Sequence, residues 1–160
     1  MLIRNILEES ARKFDEVKAV KWLNKKEIME RSYGELMENV VSTRKGLLAE
    51  GFEGKHIALI GTSSVEWMES YLGIITGCTT AVPLDAALPC EDLIDLLNRS
   101  DSVALFLSPK LKPYLDAFLE NCPKLQKVWM LQEEVEDAPA KVYGIGELRN
   151  AGKSASADSV

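Results

Sequence analysis

The chain has 160 residues, and 25 acidic against 19 basic side chains give it a net charge of −6 near neutral pH. That length suits one domain able to bury roughly 70% of the surface of its unfolded chain. The negative balance argues against a nucleic-acid footprint, which needs a basic patch or stripe, and no apolar run approaches the roughly 20 residues of a membrane helix.

Residues 5–14 place Ile6, Leu7, Ala11 and Phe14 near helical spacing, which predicts a short amphipathic helix. Two extended runs follow, 19–23 and 27–32, joined by the polar Asn24-Lys25-Lys26, and together they predict a β-hairpin. Ser32 with Glu35 three positions on is the pairing of a capping box. It opens a helix through Leu36, Val40, Thr43, Leu47 and Leu48 that stops at Gly51.

The chain then alternates. His56 to Ile60 reads as a buried strand. Ser63 to Glu66 reads as a second capping box, opening a helix with Trp67, Met68, Tyr71, Leu72 and Ile75 that Gly77 ends. A strand over 79–82 is expected to stop at Pro83, and a helix over 91–98 carries Leu93, Leu96 and Leu97. Val103 to Leu107 is a strand. Ser108 and Pro109 then suit the cap and first position of a helix through Leu115, Phe118 and Leu119. Val128 to Leu131 is a fourth strand.

Near-continuous apolar strands separated by helices of 10–15 residues are the pattern of β-α-β crossovers. The expected fold is therefore α/β: a parallel sheet with helices on both faces, preceded by a helix and a hairpin. Beyond Leu131 the acidic stretch 132–141 reads as a solvated loop, and 144–149 as one or two helical turns. The small, polar residues 151–160 read as linker or disordered tail, which divides the chain at residue 150.

The N-terminus places Glu8 and Glu9 where a signal peptide needs an apolar core. The cysteines, Cys78, Cys90 and Cys122, are odd in number and lack C-x-x-C spacing, so neither zinc nor a disulfide framework is expected. A reduced, cytoplasmic compartment fits best, and Asn98-Arg99-Ser100 is then an accidental glycosylation sequon.

The residues supply little catalytic chemistry. The one histidine, His56, begins a strand, at the end of the sheet opposite to the carboxyl end where a triad histidine would be useful. Gly152-Lys153-Ser154 has the last letters of a P-loop, but position 147, where the first glycine belongs, is Glu147. Gly61-Thr62-Ser63-Ser64 lies between a strand and a helix start, where an anion can bind, although hydroxyls there more often cap the helix. Glu91, Asp92 and Asp95 favour the positive end of a helix dipole over a metal. Trp22, Trp67 and Trp129 read as packing residues, and Cys78 and Cys122 as small hydrophobes in apolar surroundings. No catalytic, cofactor-binding or metal-binding residue is assigned.

Several segments resemble the adenylate-forming superfamily of acyl-CoA synthetases, aryl-CoA ligases, luciferases and peptide-synthetase adenylation domains. Arg31-Ser32-Tyr33-Gly34-Glu35-Leu36 resembles that family's [ST]-Y-x-E-L motif. Residues 51–59, GFEGKHIAL, resemble its G-x-x-x-G-D-x-V-A segment, and Ser63-Ser64-Val65-Glu66-Trp67 resembles N-S-x-E-W. Residues 72–85, LGIITGCTTAVPLD, resemble the motif in which a helix ends at glycine and a strand runs into Pro-Leu-Asp. Order and spacing agree from residue 3 to about 131. The later Ser/Thr/Gly-rich phosphate loop and the lysine of the mobile C-terminal domain have no counterpart, and Ala157 to Val160 resemble the approach to that loop.

The resemblance implies the N-terminal subdomain of a larger ligase, inactive as 160 residues alone. The parent would use Mg-ATP to convert a carboxylate to an acyl-adenylate, then pass the acyl group to CoA, with a slight leaning towards fatty acids. ATP, Mg and CoA are thus implied for the parent and none for this fragment, whose partners would be the rest of the ligase or a second copy of itself. The alternative is a stand-alone flavodoxin-like domain that binds a small anion or dimerises without catalysis.

Overall fold

The segment before the first hairpin folds as α1 (Ile3–Phe14), an amphipathic helix none of whose residues is buried. A computed structural model describes residues 2–155. The hairpin is β1 (Lys18–Asn24) and β2 (Glu27–Ser32), antiparallel, with Trp22 opposite Met29 and Leu23 opposite Ile28. Lys25 turns it with φ of 57°.

Ser32 starts α2 (Tyr33–Ala49) through the expected capping box: its hydroxyl accepts from the Glu35 N–H, and the Glu35 carboxylate accepts from the Ser32 N–H. Gly51, at φ of 80°, turns the chain away, as the αL-tolerant residue beyond a helix should.

The α/β body follows as β3 (His56–Ile60), α3 (Val65–Ile75), β4 (Thr80–Leu84), α4 (Cys90–Arg99) and β5 (Ser102–Leu107). A 3-10 helix (Pro109–Tyr114), α5 (Leu115–Asn121), β6 (Lys127–Met130), β7 (Val142–Gly144) and α6 (Ile145–Ser154) complete it. The five strands pair in parallel in the order β4-β3-β5-β6-β7.

Because side chains alternate along a strand, each face of the sheet acquires its own core. Ala58, Ile60, Leu105, Leu107, Val128 and Met130 meet Leu93, Leu97, Leu115 and Phe118 of α4 and α5. Ile57, Leu59, Ala104, Phe106 and Trp129 meet Leu47, Ile74, Ile145 and Leu148 of α2, α3 and α6. Burial on both faces is why β3 and β5 read as unbroken apolar runs.

Several sequence expectations need correction. Pro83 does not stop its strand; it lies within β4 opposite Leu59, tolerated because β4 is the sheet edge. The cap of α3 is Ser64 rather than Ser63: its hydroxyl accepts from the Trp67 N–H at 3.1 Å, and no reciprocal bond from Glu66 forms. Pro109 does take a first-turn position, but in a 3-10 helix, and the Ser108 side chain makes no capping bond. Pro113, lacking an N–H, lies inside that helix, and α5 begins only at Leu115.

The last strand, β7, was not legible. It has three residues, and it pairs because the 132–141 loop folds back, with the Val128 N–H donating to the Lys141 carbonyl and the Ile145 N–H to that of Gln132. The division at residue 150 also misplaces the end of regular structure. Residues 151–154 form the last turn of α6, held because Gly152 is buried against α2. Residues 156–160, the rest of the expected tail, lie outside the described residues.

Candidate functional site

Open parallel sheets bind ligands beyond the carboxyl ends of their strands, where neighbouring connections depart in opposite directions. Here β4 lies on one side of β3 and β5 on the other, so that point is the crevice between Ile60-Gly61 and Leu107-Ser108. It contains the Gly61-Thr62-Ser63-Ser64 segment.

The two strand ends lie close together at the base of this crevice. The Ser108 N–H donates to the Ile60 carbonyl at 2.9 Å and draws the two strand ends together. A Cβ at Gly61 would stand 2.7 Å from Ser108 Oγ and 3.1 Å from Trp67 Cδ1. Glycine is needed there to let Ser108 and the Trp67 ring approach the backbone, while Thr62, Ser63 and Ser64 beyond it are exposed. Ser64 occupies the α3 N-terminus, and Glu66 in its first turn adds a negative charge that opposes an anion. Trp67 stacks on Tyr71 at 5.4 Å, and its indole N–H has no acceptor. The capping role of Ser64 and the charge of Glu66 both count against a phosphate cradle here, and no phosphoryl chemistry is assigned to these residues.

Sequence reading passed over a buried ionic network on the opposite side of α3. The Glu69 side chain has no solvent exposure. One carboxylate oxygen accepts from Asn39 Nδ2 at 3.0 Å and lies 3.0 Å from Arg31 Nε. The other accepts from Arg149 Nη2 at 2.9 Å. Arg149, also buried, donates to Thr43 Oγ1 at 3.3 Å and reaches Glu133 Oε1 at 3.4 Å. Burial raises the Glu69 carboxyl above the usual carboxylate range, and Asn39 and the two arginines offset only part of that. Glu69 follows the helical period of α3 as an apolar residue would, with Val65 and Gly73, so spacing could not separate it from the core.

The other sequence candidates are scattered. His56 is exposed at the start of β3, with Nδ1 2.7 Å from the Ser100 carbonyl. Glu91 and Asp92 occupy the first turn of α4, and Asp95 pairs with Arg99 at 3.2 Å. Lys153 pairs with Glu38 at 2.9 Å. Trp129 is buried between Phe52 and Phe106, whereas Trp22 lies under the Arg31 guanidinium at 5.6 Å. Cys122 is buried and its thiol is pushed up to about 11 by desolvation. Cys78 departs from expectation: it is exposed, in the turn after α3, and does not pack as a core hydrophobe. Among the described residues, no three acidic, histidine or cysteine side chains group to hold a metal. Among them too, no helix is long and apolar enough to cross a membrane.

A family model described as "AMP-binding enzyme" matches residues 7–158. No curated protein matches the chain by sequence. Among solved structures, it is similar to the coronafacic acid ligase of Pectobacterium brasiliense (TM-score 0.83, 21% identity, covering 94% of this chain and 29% of that one). It is also similar to the anthranilate CoA ligase AuaEII (TM-score 0.75, 16% identity, 92% and 26%). A third is the N-terminal domain of FACL13 from Mycobacterium tuberculosis (TM-score 0.72, 19% identity, 100% and 38%). At these identities the likeness is one of fold, and the chain spans well under half of each of the three.

Proposed function

The chain belongs to the AMP-binding enzyme family, and on that premise we propose that it is the N-terminal scaffold portion of an ATP-dependent ligase. That enzyme joins a carboxylic acid to a thiol through an acyl-adenylate. The observation that carries the reading is the family match over residues 7–158. The named activities of the structural neighbours, two of them acid or CoA ligases, support it. A fatty acid as the substrate and the cytoplasm as the compartment belong to the same proposal.

The residues at hand act as framework. The sheet and its two cores fix where β3, β4 and β5 deliver their carboxyl ends, while the chemistry rests on groups supplied by the rest of the ligase. ATP would supply the leaving pyrophosphate and Mg would neutralise phosphate charge. The Gly61-Thr62-Ser63-Ser64 segment carries no cationic side chain and spends the Ser64 hydroxyl on capping α3, which supports assigning the nucleotide to the remainder. The Glu66 charge at that helix start weighs against the alternative of a stand-alone anion-binding domain.

Two measurements test the proposal. The reading frame beyond codon 160 should encode a Ser/Thr/Gly-rich loop and a later lysine. The 160-residue chain should show no ATP–pyrophosphate exchange above a protein-free blank with a panel of fatty and aryl acids. Exchange by contaminant-free protein would sink the scaffold reading, and a downstream frame of unrelated sequence would sink the ligase.

A further inference from the structure

Apolar burial does little to fix the hairpin. Ser32 is the only residue of β1 and β2 that is buried, while Leu23 and Ile28 on the outward face are 69% and 71% exposed. Two backbone bonds pin its base: the Tyr33 N–H to the Val17 carbonyl and the Gly34 N–H to that of Asp15, each at 2.9 Å. Above the base, the inner face carries Arg31, whose guanidinium lies 5.6 Å from the Trp22 ring on the cross-strand neighbour and whose Nε is 3.0 Å from Glu69. Arg31 is thus a strut with one end on the hairpin and the other on α3. The Arg31 Nε–H does not point at an acceptor, so charge rather than a directed hydrogen bond holds that end.

Glu69 is anchored independently of the hairpin. Asn39 of α2 and Arg149 of α6 hold its two oxygens inside the body, and Thr43 and Glu133 hold Arg149 in turn. The groups facing the carboxylate are therefore Arg31 from β2, Asn39 from α2 and Arg149 from α6, with Glu133 on the far side of Arg149.

We propose that Glu69 is a positioning residue that sets the pose of the β1–β2 hairpin on the α/β body through Arg31, and that neutralising it frees the hairpin while the body stays folded. The asymmetry of the anchors carries this: losing the carboxylate's charge leaves Arg149 with Thr43 and Glu133, but leaves Arg31 with no charged partner among the described residues in the body. A two-stranded hairpin without a supporting surface is marginal at best in water. Release should therefore appear as lost amide protection within the hairpin itself. The consequence is a switchable orientation for the exposed Leu23–Ile28 face.

The test is amide hydrogen exchange on the 160-residue chain and its Glu69→Gln, Arg31→Met and Arg31→Lys variants. An interaction with a charged group supports about a tenfold change in local opening. Glu69→Gln and Arg31→Met should each speed exchange by that factor at the β1 and β2 amides that donate across the hairpin. Leu59 and Leu105 in the body should change less than about twofold. The double variant should exchange no faster than either single one, and Arg31→Lys should recover most of the protection. On acidification, the wild-type hairpin should lose more protection than the Gln variant, since the Glu30 pairs with Lys18 and Lys21 titrate alike in both. Unchanged hairpin exchange in Glu69→Gln overturns the proposal, as does acceleration shared equally by β3 and β5. Arg31 is partly exposed at 25%, so its variants keep the test decisive if Glu69→Gln fails to fold.

Discussion

Gly152 of α6 packs so closely on Gly46 of α2 that a Cβ on Gly152 would stand 2.7 Å from the Gly46 backbone nitrogen, and nearer still to the Ser42 carbonyl oxygen. The two helices meet backbone to backbone, and neither obstacle is a flexible side chain that can turn aside. Gly152→Ala should therefore destabilise the chain by about 1–3 kcal/mol, the usual cost of overpacking. Gly54 is the control: nothing lies within 4 Å of its Cβ position, but its φ is 70°, so Gly54→Ala should cost about 1–2 kcal/mol from backbone strain alone. Urea midpoints measure both. A Gly152→Val loss no larger than that of Gly54→Val would refute the backbone contact.

The Glu69 carboxyl predicts a pH dependence whose sign can be fixed. Its folded pKa is raised above the ordinary 4.5, chiefly by burial. Between those values the native state keeps a proton that the unfolded chain releases. Its contribution to stability is thus fully present below the ordinary value and is lost as pH rises through the folded one. Exposed carboxylates such as Glu30 and Asp101, lowered by lysine partners, run the other way. The quantity to read is therefore the wild-type stability minus that of Glu69→Gln. That difference should decline as pH climbs from about 4.5, and a rising difference would contradict it.

Thiol chemistry should separate the three cysteines. Cys78 is exposed, Cys90 half-buried and Cys122 buried with its thiol raised to about 11. Under native conditions a neutral alkylating reagent should label Cys78 first and leave Cys122 untouched until the chain unfolds. Cys78→Ser should abolish the fast phase. A fast phase that survives this change would mean that Cys90 or Cys122 is open to solvent.

Among the described residues, the exposed large apolar side chains all belong to the first 29 positions: Leu2, Ile3, Ile6, Phe14, Val17, Leu23, Ile28 and Met29. In the proposed ligase the remaining chain would cover this apolar surface. In the 160-residue chain alone it should drive self-association, because exposed apolar patches and unpaired strand edges both recruit partners. Sedimentation from micromolar to near-millimolar concentration should show mass above the monomer, and Leu23→Lys with Ile28→Lys should restore the monomer. A strictly monomeric wild type that binds no hydrophobic dye would defeat the expectation.

What the sequence determined was local or periodic. The capping box at Ser32 and Glu35 needs two residues three apart, and the αL turn at Gly51 needs one glycine after an apolar period. The strands at β3 and β5 need unbroken apolar runs that only burial on both faces explains. Each of these rests on physics acting within a few residues, so each survived folding intact. The tertiary structure decided whatever depended on a distant neighbour. Pro83 can stay in a strand because the topology makes β4 an edge. Residues 151–154 are helical because Gly152 meets α2, roughly a hundred positions earlier in the chain. Three residues form β7 because a ten-residue loop returns them to β6. Glu69, indistinguishable by spacing from a core position, becomes the centre of an ionic network only when β2, α2 and α6 bring Arg31, Asn39 and Arg149 to it. A buried charge is tolerable only where partners converge in space, and convergence in space is what a linear pattern does not encode.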